Sequence, residues 1–236
     1  MTETDTQAEL KSKLLDAALM HVTFDGWSEE TFRAAARDAE IDPEVARVIC
    51  PRGAVDLALA YHERGDEEML RRLALEDLPT LRLRDRIARA IRFRIEAIDD
   101  REAVRRGSAL FSLPPYAGDG ARAIWGTADK IWTALGDNAD DINWYTKRAS
   151  LAGVYSSTIL YWLGDESNEA ERTWAFLDAR VDDVMNLERV RAQVTGNPVM
   201  KLIFAGPNWL AGQIRAPRKR EQGFPGSWGD DETPGG

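Results

Sequence analysis

Cysteine is all but missing from this chain. The single thiol, Cys50, leaves no intrachain disulfide possible, and a reducing compartment is its simplest setting. Histidine is nearly as scarce, with His21 and His62 the only imidazoles. Neither has a carboxylate three residues earlier, where Ala18 and Leu59 stand, so the paired Glu-x-x-His units of a carboxylate di-iron bundle cannot be built. Zinc-ligand spacing, a phosphate-cradling P-loop and a dinucleotide-binding glycine pattern are also missing. No stretch of about 18 consecutive apolar residues occurs, so no helix is expected to span a bilayer and any membrane contact is peripheral. The opening, MTETDTQAEL, is acidic; it lacks the apolar centre of a secretory signal and the arginines of a transit peptide. A surplus of positive charge is missing too. The net charge of −9 disfavours a general nucleic-acid binder, because neutralising phosphates takes clustered Lys and Arg.

Helix signals fill the space these absences leave. Hydrophobic residues make up 44% of the 236 and charged residues 30%, enough for a real core and a well-solvated surface. Leu10, Leu14, Ala18 and Val22 recur every four residues and mark a first buried stripe. Gly26 and Trp27 break it, and Ser28 is a good cap for a second helix. Asp42–Pro43 starts a third, short helix, stopped by Pro51 and Gly53, and a longer one follows over 55–76. Three short helices and then a long one make a helix-turn-helix outline. Beyond Pro79, Leu83, Ile87, Ile91, Ile95 and Ile98 form the clearest amphipathic stripe, with arginines between positions 82 and 94 read as its wet side. Further helices are expected over 100–113, 120–135, 140–163 and 168–187, which makes the chain all-α with nine to ten helices. Strand alternation and internal repeats are absent.

The helix-turn-helix part is a poor DNA reader. Its first fifty residues hold five bases and eleven acids, 5 − 11 = −6, and the would-be recognition helix offers one base, Arg47, beside Val45, Val48 and Ile49. Nor do catalytic side chains gather. His21 reads as a partly buried structural histidine, Cys50 as a packing residue, and Glu67–Glu68, Asp140–Asp141 and Asp182–Asp183 as solvated helix faces. The expectation is a protein that is not an enzyme and needs no cofactor or metal.

Aromatics concentrate in the second half. Trp125 and Trp132 are seven apart, and Trp144, Tyr155 and Trp162 are spaced by eleven and seven, so each set keeps one helix face. Small residues between them, such as Ala152 and Gly153, would leave room for an apolar guest, although the same spacing suits a filled core. The stretch 188–220 carries seven bases and one acid, 7 − 1 = +6, together with Val199, Met200, Leu202, Ile203, Phe204, Trp209, Leu210 and Ile214. At about 1 kcal/mol per base near an anionic bilayer, before screening, such a segment supports reversible docking; packing on its own domain or on a second subunit is the alternative. The Gly-, Pro- and acid-rich tail after Pro217 is expected to be disordered.

The segments at 137–163, DNADDINWYTKRASLAGVYSSTILYWL, and 171–186, ERTWAFLDARVDDVMN, closely resemble the coenzyme Q biosynthesis accessory family, the ninth of the Coq proteins. So do GW at 26–27 and PRGAVDL at 51–57, and the resemblance runs from about residue 10 to 187. It implies a TetR-repressor-like fold that binds phospholipid and isoprenoid quinone, presents a quinone intermediate to the di-iron demethoxyubiquinone hydroxylase, and docks on membranes by a C-terminal amphipathic helix. It implies partner-binding roles for Trp144 and Tyr145, a lipid-phosphate contact for Arg148, and a pocket side formed by Leu151, Tyr155, Ile159 and Trp162. The membrane-binding set would be Val199, Leu202, Ile203, Phe204, Trp209 and Leu210, on a helix that Gly206–Pro207 interrupts or splits. Position 147 is Lys where some relatives carry Arg. The expected organisation is a disordered 1–7, a helix-turn-helix-like unit at 8–78, a lipid-binding core at 79–187, a basic membrane segment at 188–216 and a disordered 217–236. A cytoplasmic protein peripherally associated with the inner membrane follows, binding no nucleic acid, with a homodimer left open. A TetR-like ligand-sensing regulator and a plain interaction scaffold are the competing functions.

Overall fold

Capping chemistry decides where these helices begin. Ser28 accepts from the Thr31 N–H at 3.2 Å, and Asp42 accepts from the Glu44 and Val45 N–H groups, with Pro43 in the first helical turn. The structure, a computed structural model, describes the backbone of residues 3–137 and 142–196, and the side chains of 6–137 and 143–186. Among the described residues nine α-helices and no strands occur: α1 Glu3–Asp25, α2 Glu29–Asp38, α3 Pro43–Ile49, α4 Ala54–Leu73, α5 Leu83–Glu96, α6 Arg101–Ser112, α7 Ala117–Ala134, α8 Ile142–Leu163 and α9 Glu171–Gly196. Short 3-10 turns at Leu78–Thr80 and Asn168–Ala170 complete the described elements.

Two boundaries depart from expectation. Helix α1 starts at Glu3, inside the stretch expected to be disordered; no Gly or Pro interrupts 3–10. Helix α9 runs past Leu187 to Gly196, into the basic segment, because LERVRAQVT contains no breaker. The membrane-binding set at Val199, Leu202, Ile203, Phe204, Trp209 and Leu210 lies outside the described residues, as does the tail at 217–236.

Two apolar cores form. The first gathers Leu14, Ala18 and Val22 of α1 with Phe32 of α2, Ala46 of α3 and Leu57 of α4. The second gathers Ile87, Ile91 and Ile95 of α5 with Ile131 and Trp132 of α7, Leu151 of α8 and Val181 of α9. Helix α4 belongs to both, giving Ala54, Leu57 and Ala58 to the first and Met69 and Leu73 to the second. Trp27, just after the α1 break, is buried, and its indole N–H donates to the Ala103 carbonyl of α6 at 3.0 Å. His21 is half-buried, with Nε2 2.6 Å from Asp38, and joins α1 to the end of α2.

The arginines of α5 are not all on its wet side. Arg82, Arg89 and Arg92 are exposed, but Arg94 is 3% exposed and ion-pairs with Asp66 of α4. The reason is register: position 94 is seven residues from Ile87 and three from Ile91, so it falls on the buried stripe. Its approach requires Gly65, since a Cβ there would lie 2.6 Å from Arg94 Cζ and closer still to Nη1. Alanine for glycine in a helix interior ordinarily gains about 1 kcal/mol. Here Gly65→Ala is expected to lower stability by about 1–3 kcal/mol instead, by overpacking against the guanidinium. Urea unfolding of the two proteins measures the sign.

Candidate functional site

Between its two apolar ends α4 carries polar residues, and Asp66 is their centre. It is 1% exposed and accepts from Arg94 Nε at 2.7 Å, Thr127 Oγ1 at 2.9 Å and Lys130 Nζ at 3.0 Å. Arg94 also donates to the His62 carbonyl at 2.8 Å, and His62 Nε2 sits 2.8 Å from Thr127 Oγ1. The single Thr127 proton has two acceptors, Asp66 at 2.9 Å and the Ala123 carbonyl at 3.3 Å; given to either, it leaves Nε2 of His62 as the donor to Thr127. Burial, and next the Arg94 charge, push the His62 pKa from 6.5 to about 4, so the ring is neutral near pH 7. Burial alone would raise the Asp66 pKa; its positive neighbours outweigh that and hold it below the usual carboxylate range.

Beside this node the helices part to leave a cavity of about 460 Å³, within the ~300–1,000 Å³ usual for small-molecule pockets. Its wall is mostly apolar, with Ala58 from α4, Ile98 from α5, Phe111 from α6, Ile124 from α7 and Ile159 from α8. Small residues line it, Gly107 on α6 and Gly120, Ala121 and Ala123 on α7; Gly120 admits the Phe111 side chain, since a Cβ there would lie 2.7 Å from Phe111 Cβ. Exposed lining residues Ser112, Ala117, Ala121 and Leu160 mark the mouth, and buried Ala58, Arg94 and Tyr155 mark the inner end. The Tyr155 ring meets the His62 ring edge-on at 6.4 Å, and the Arg94 guanidinium lies 5.7 Å from its centroid. Burial is the main cause that pushes the Tyr155 phenol up to about 12, so it carries its proton.

Of the five residues expected to contact lipid, Tyr155 and Ile159 line this cavity. Leu151 does not; it packs in the second core against a gap of only about 10 Å³ beside Trp132 and Val181. Trp162 is buried beneath the Arg101 guanidinium, 4.3 Å from its ring centroid. Arg148 also stands apart from the cavity. It is 2% exposed, with Nε 2.6 Å from Asp129, Nη1 3.0 Å from Asp137, and its plane 4.0 Å over the Trp144 ring. Lys147 takes the other Asp137 oxygen at 2.7 Å. The basic pair of the NWYTKRA segment is thereby bound to α7 through Asp129 and to Asp137, three residues beyond its end. Trp144 and Tyr145 are half-buried and form an aromatic cluster with Trp125, at centroid distances of 6.0, 6.5 and 4.8 Å.

The polar node beside the cavity, His62, Asp66, Arg94 and Thr127, of which His62 and Arg94 line it, was not legible as a site in the sequence. Two signals for it existed: a glycine inside a helical pattern at 65, and an arginine in register with the isoleucines at 94. Among the described residues no group of three or more His, Cys, Asp or Glu could hold a metal, and no described helix is long and apolar enough to cross a membrane.

Residues 117–188, from the start of α7 into α9, match the COQ9 family. The ubiquinone biosynthesis protein COQ9, mitochondrial, of Rattus norvegicus is 30% identical over 201 residues, covering 80% of this chain and 63% of that protein. Its counterpart in Homo sapiens is 29% identical over 201 residues, again 80% of this chain, and 62% of that protein. The chain is similar to the COQ9 family. It spans somewhat under two thirds of the length of those two COQ9 relatives. A TetR transcriptional regulator from Nitrosomonas europaea superposes with a TM-score of 0.61 at 18% identity, over 74% of this chain and 97% of that one. That likeness gives the fold, which is TetR-like, as expected from the helix order. The family match at 117–188 takes in Arg148, the aromatic cluster and the α7 and α8 walls of the cavity.

Two measurements probe this geometry. The folded His62 pKa lies below 6.5, so the native state holds fewer protons at this site than the unfolded chain. The resulting stability is complete above pH 6.5 and is lost as the pH falls toward 4. NMR titration is expected to find the His62 ring neutral halfway through that window, and His62→Gln is expected to flatten the loss of stability across it. Arg148→Ala leaves the buried Asp137 without its arginine and is expected to lower stability by about 3 kcal/mol in urea unfolding, with Arg148→Lys recovering part.

Proposed function

We propose that this chain serves ubiquinone biosynthesis as a lipid-binding accessory protein. It takes a hydrophobic quinone intermediate from a membrane surface and presents it to the di-iron demethoxyubiquinone hydroxylase. The observation that carries this reading is the apolar cavity of about 460 Å³ open at Leu160, in a chain similar to COQ9. Burying an apolar guest there releases about 25 cal/mol per Å² of surface removed from water, so the cavity walls supply affinity without any charge.

The remaining parts of the reading divide by residue. Tyr155 and Ile159 are proposed to touch the guest inside the cavity, and Leu151 and Trp162 to hold the surrounding frame. A phosphate meeting Arg148 would first have to displace Asp129 or Asp137, so a lipid-phosphate contact there implies a rearrangement of the NWYTKRA segment. Trp144 and Tyr145 are proposed as the hydroxylase-facing patch, supported by three aromatic rings gathered in one half-buried cluster. The basic stretch 188–216, with Val199, Leu202, Ile203, Phe204, Trp209 and Leu210, is proposed as the membrane-docking element, supported by its charge excess of 4 − 1 = +3. On this reading the protein is cytoplasmic, works at the inner membrane, performs no chemistry of its own and uses no cofactor.

One observation favours a second reading, a ligand-sensing regulator: the TetR-like superposition. Against it, the only base on α3, Arg47, is paired with Glu29 and lies over the Phe32 ring at 4.5 Å, while Val48 of the same helix is 72% exposed. A saturable, sequence-specific mobility shift at moderate salt would favour the regulator.

Purified protein, extracted and examined by mass spectrometry, is expected to release phospholipid or isoprenoid, and to float with anionic liposomes more than with neutral ones. Extracts free of both lipid classes, together with no flotation, would remove the accessory-protein reading.

A further inference from the structure

The Tyr155 ring is 3% exposed, and its hydroxyl makes no hydrogen bond to any described group. Among the described residues, no fully buried side-chain nitrogen or oxygen lacks a partner. The phenol oxygen must therefore touch open space, and the open space that Tyr155 lines is the junction cavity. Of the other wall hydroxyls, Tyr61 donates to Asp99 at 2.7 Å, Ser112 to the Ala109 carbonyl at 2.7 Å and Ser156 to the Gly153 carbonyl at 3.3 Å, while the half-buried Ser108 is a second hydroxyl without a bond to a described group. Arg94, the cation at the inner end, is neutralised by Asp66 and also donates to the His62 carbonyl. An anion entering here would meet a compensated guanidinium with a carboxylate behind it, and would lose its hydration for little return. A neutral acceptor would meet a donor that already sits in an apolar setting without a partner.

We propose that Tyr155 determines specificity in this cavity by donating a hydrogen bond to a neutral acceptor, a carbonyl oxygen on an otherwise apolar guest, seated at the inner end with the rest of the guest directed to the mouth at Leu160. The inference rests on the lipid-binding reading and deepens it by naming the ligand class: uncharged carbonyl compounds rather than phosphates or carboxylates. Size adds a constraint. At ~30 Å³ per water-sized group, 460 Å³ holds about fifteen such groups, so a ring or the head of a chain enters and a long tail stays outside.

The carbonyl could belong to a quinone ring or to an acyl ester, and binding to the full-length protein distinguishes them. The probes are decyl-para-benzoquinone, methyl decanoate, decylbenzene as the matched hydrocarbon, and the decanoate anion. Wild-type protein is expected to bind the quinone about three- to tenfold more tightly than decylbenzene, the size of one net hydrogen bond, and decanoate most weakly. Tyr155→Phe is expected to bring quinone and hydrocarbon together while leaving hydrocarbon binding and the urea midpoint unchanged, because the hydroxyl bonds no protein group. A Tyr155-dependent gain for methyl decanoate too assigns the seat to any neutral carbonyl, whereas a gain confined to the quinone assigns it to the ring. Ser156→Phe, which narrows the cavity, is expected to weaken all the neutral probes together and so locate them. The proposal is overturned if Tyr155→Phe leaves the quinone-to-hydrocarbon ratio unchanged, or if decanoate binds wild-type protein as well as the neutral probes do. Binding that is tight but indifferent to Tyr155 leaves the lipid-binding reading standing. No binding of any probe removes that reading and this inference with it.

Discussion

The ion pair between Asp66 and Arg94 is the constraint around which this fold is arranged. Two charges taken out of water cost several kcal/mol each unless their remaining hydrogen-bonding capacity is met. Here it is met from three sides: Thr127 and Lys130 of α7 complete the carboxylate, and the His62 carbonyl takes a second guanidinium nitrogen. That requirement fixes α4, α5 and α7 relative to one another at the point where the two apolar cores meet. It also dictates residue 65, because no side chain can stand between the guanidinium and the helix it lies against. The cavity is a consequence of the same arrangement. Helices held apart by a polar node, and lined beside it by alanine and glycine, do not close on one another.

A second buried arginine uses the same device at the other end of the second core. Arg148 holds Asp129 and Asp137 and covers Trp144, while Lys147 holds the remaining Asp137 oxygen and the Trp132 indole donates to the Lys147 carbonyl at 3.0 Å. The most recognisable segment of the sequence is therefore first a clasp between α7 and α8. It carries the aromatic cluster outward and the Tyr155 face inward from one helix. A residue typical of a family can be so for architecture as readily as for ligand contact, and the doubly paired Arg148 illustrates how a ligand-facing reading of such a residue depends on what its neighbours already hold.

The sequence made the frame legible and the interior chemistry much less so. Periodicity at four residues located α1 and α5, and Ser28 and Asp42 marked the starts of α2 and α3, since these signals are local and the backbone rules behind them are strong. The TetR-like layout followed from helix order and the family resemblance. The cavity was legible only in part. Tyr155 and Ile159 stand on its wall, but Leu151, on the same helix, turns into the filled core, since spacing says which residues share a face and not whether the opposite wall is close. The polar node was hidden because its members come from three helices at positions 62, 66, 94, 127 and 130, and an arginine among many on one helix gives no sign that it alone is buried.

His62 borders two different spaces. On one side is the apolar cavity, and on the other a polar groove lined by Asp66, Lys130 and Asp119. The partition between oil and water at the inner end of this molecule is, at that point, one imidazole thick. It works as a gasket only while the ring is uncharged, and the neighbouring guanidinium helps keep it so. A charged ring would draw solvent from the groove toward the greasy side, and the dryness on which an apolar guest depends would leak away through a single side chain.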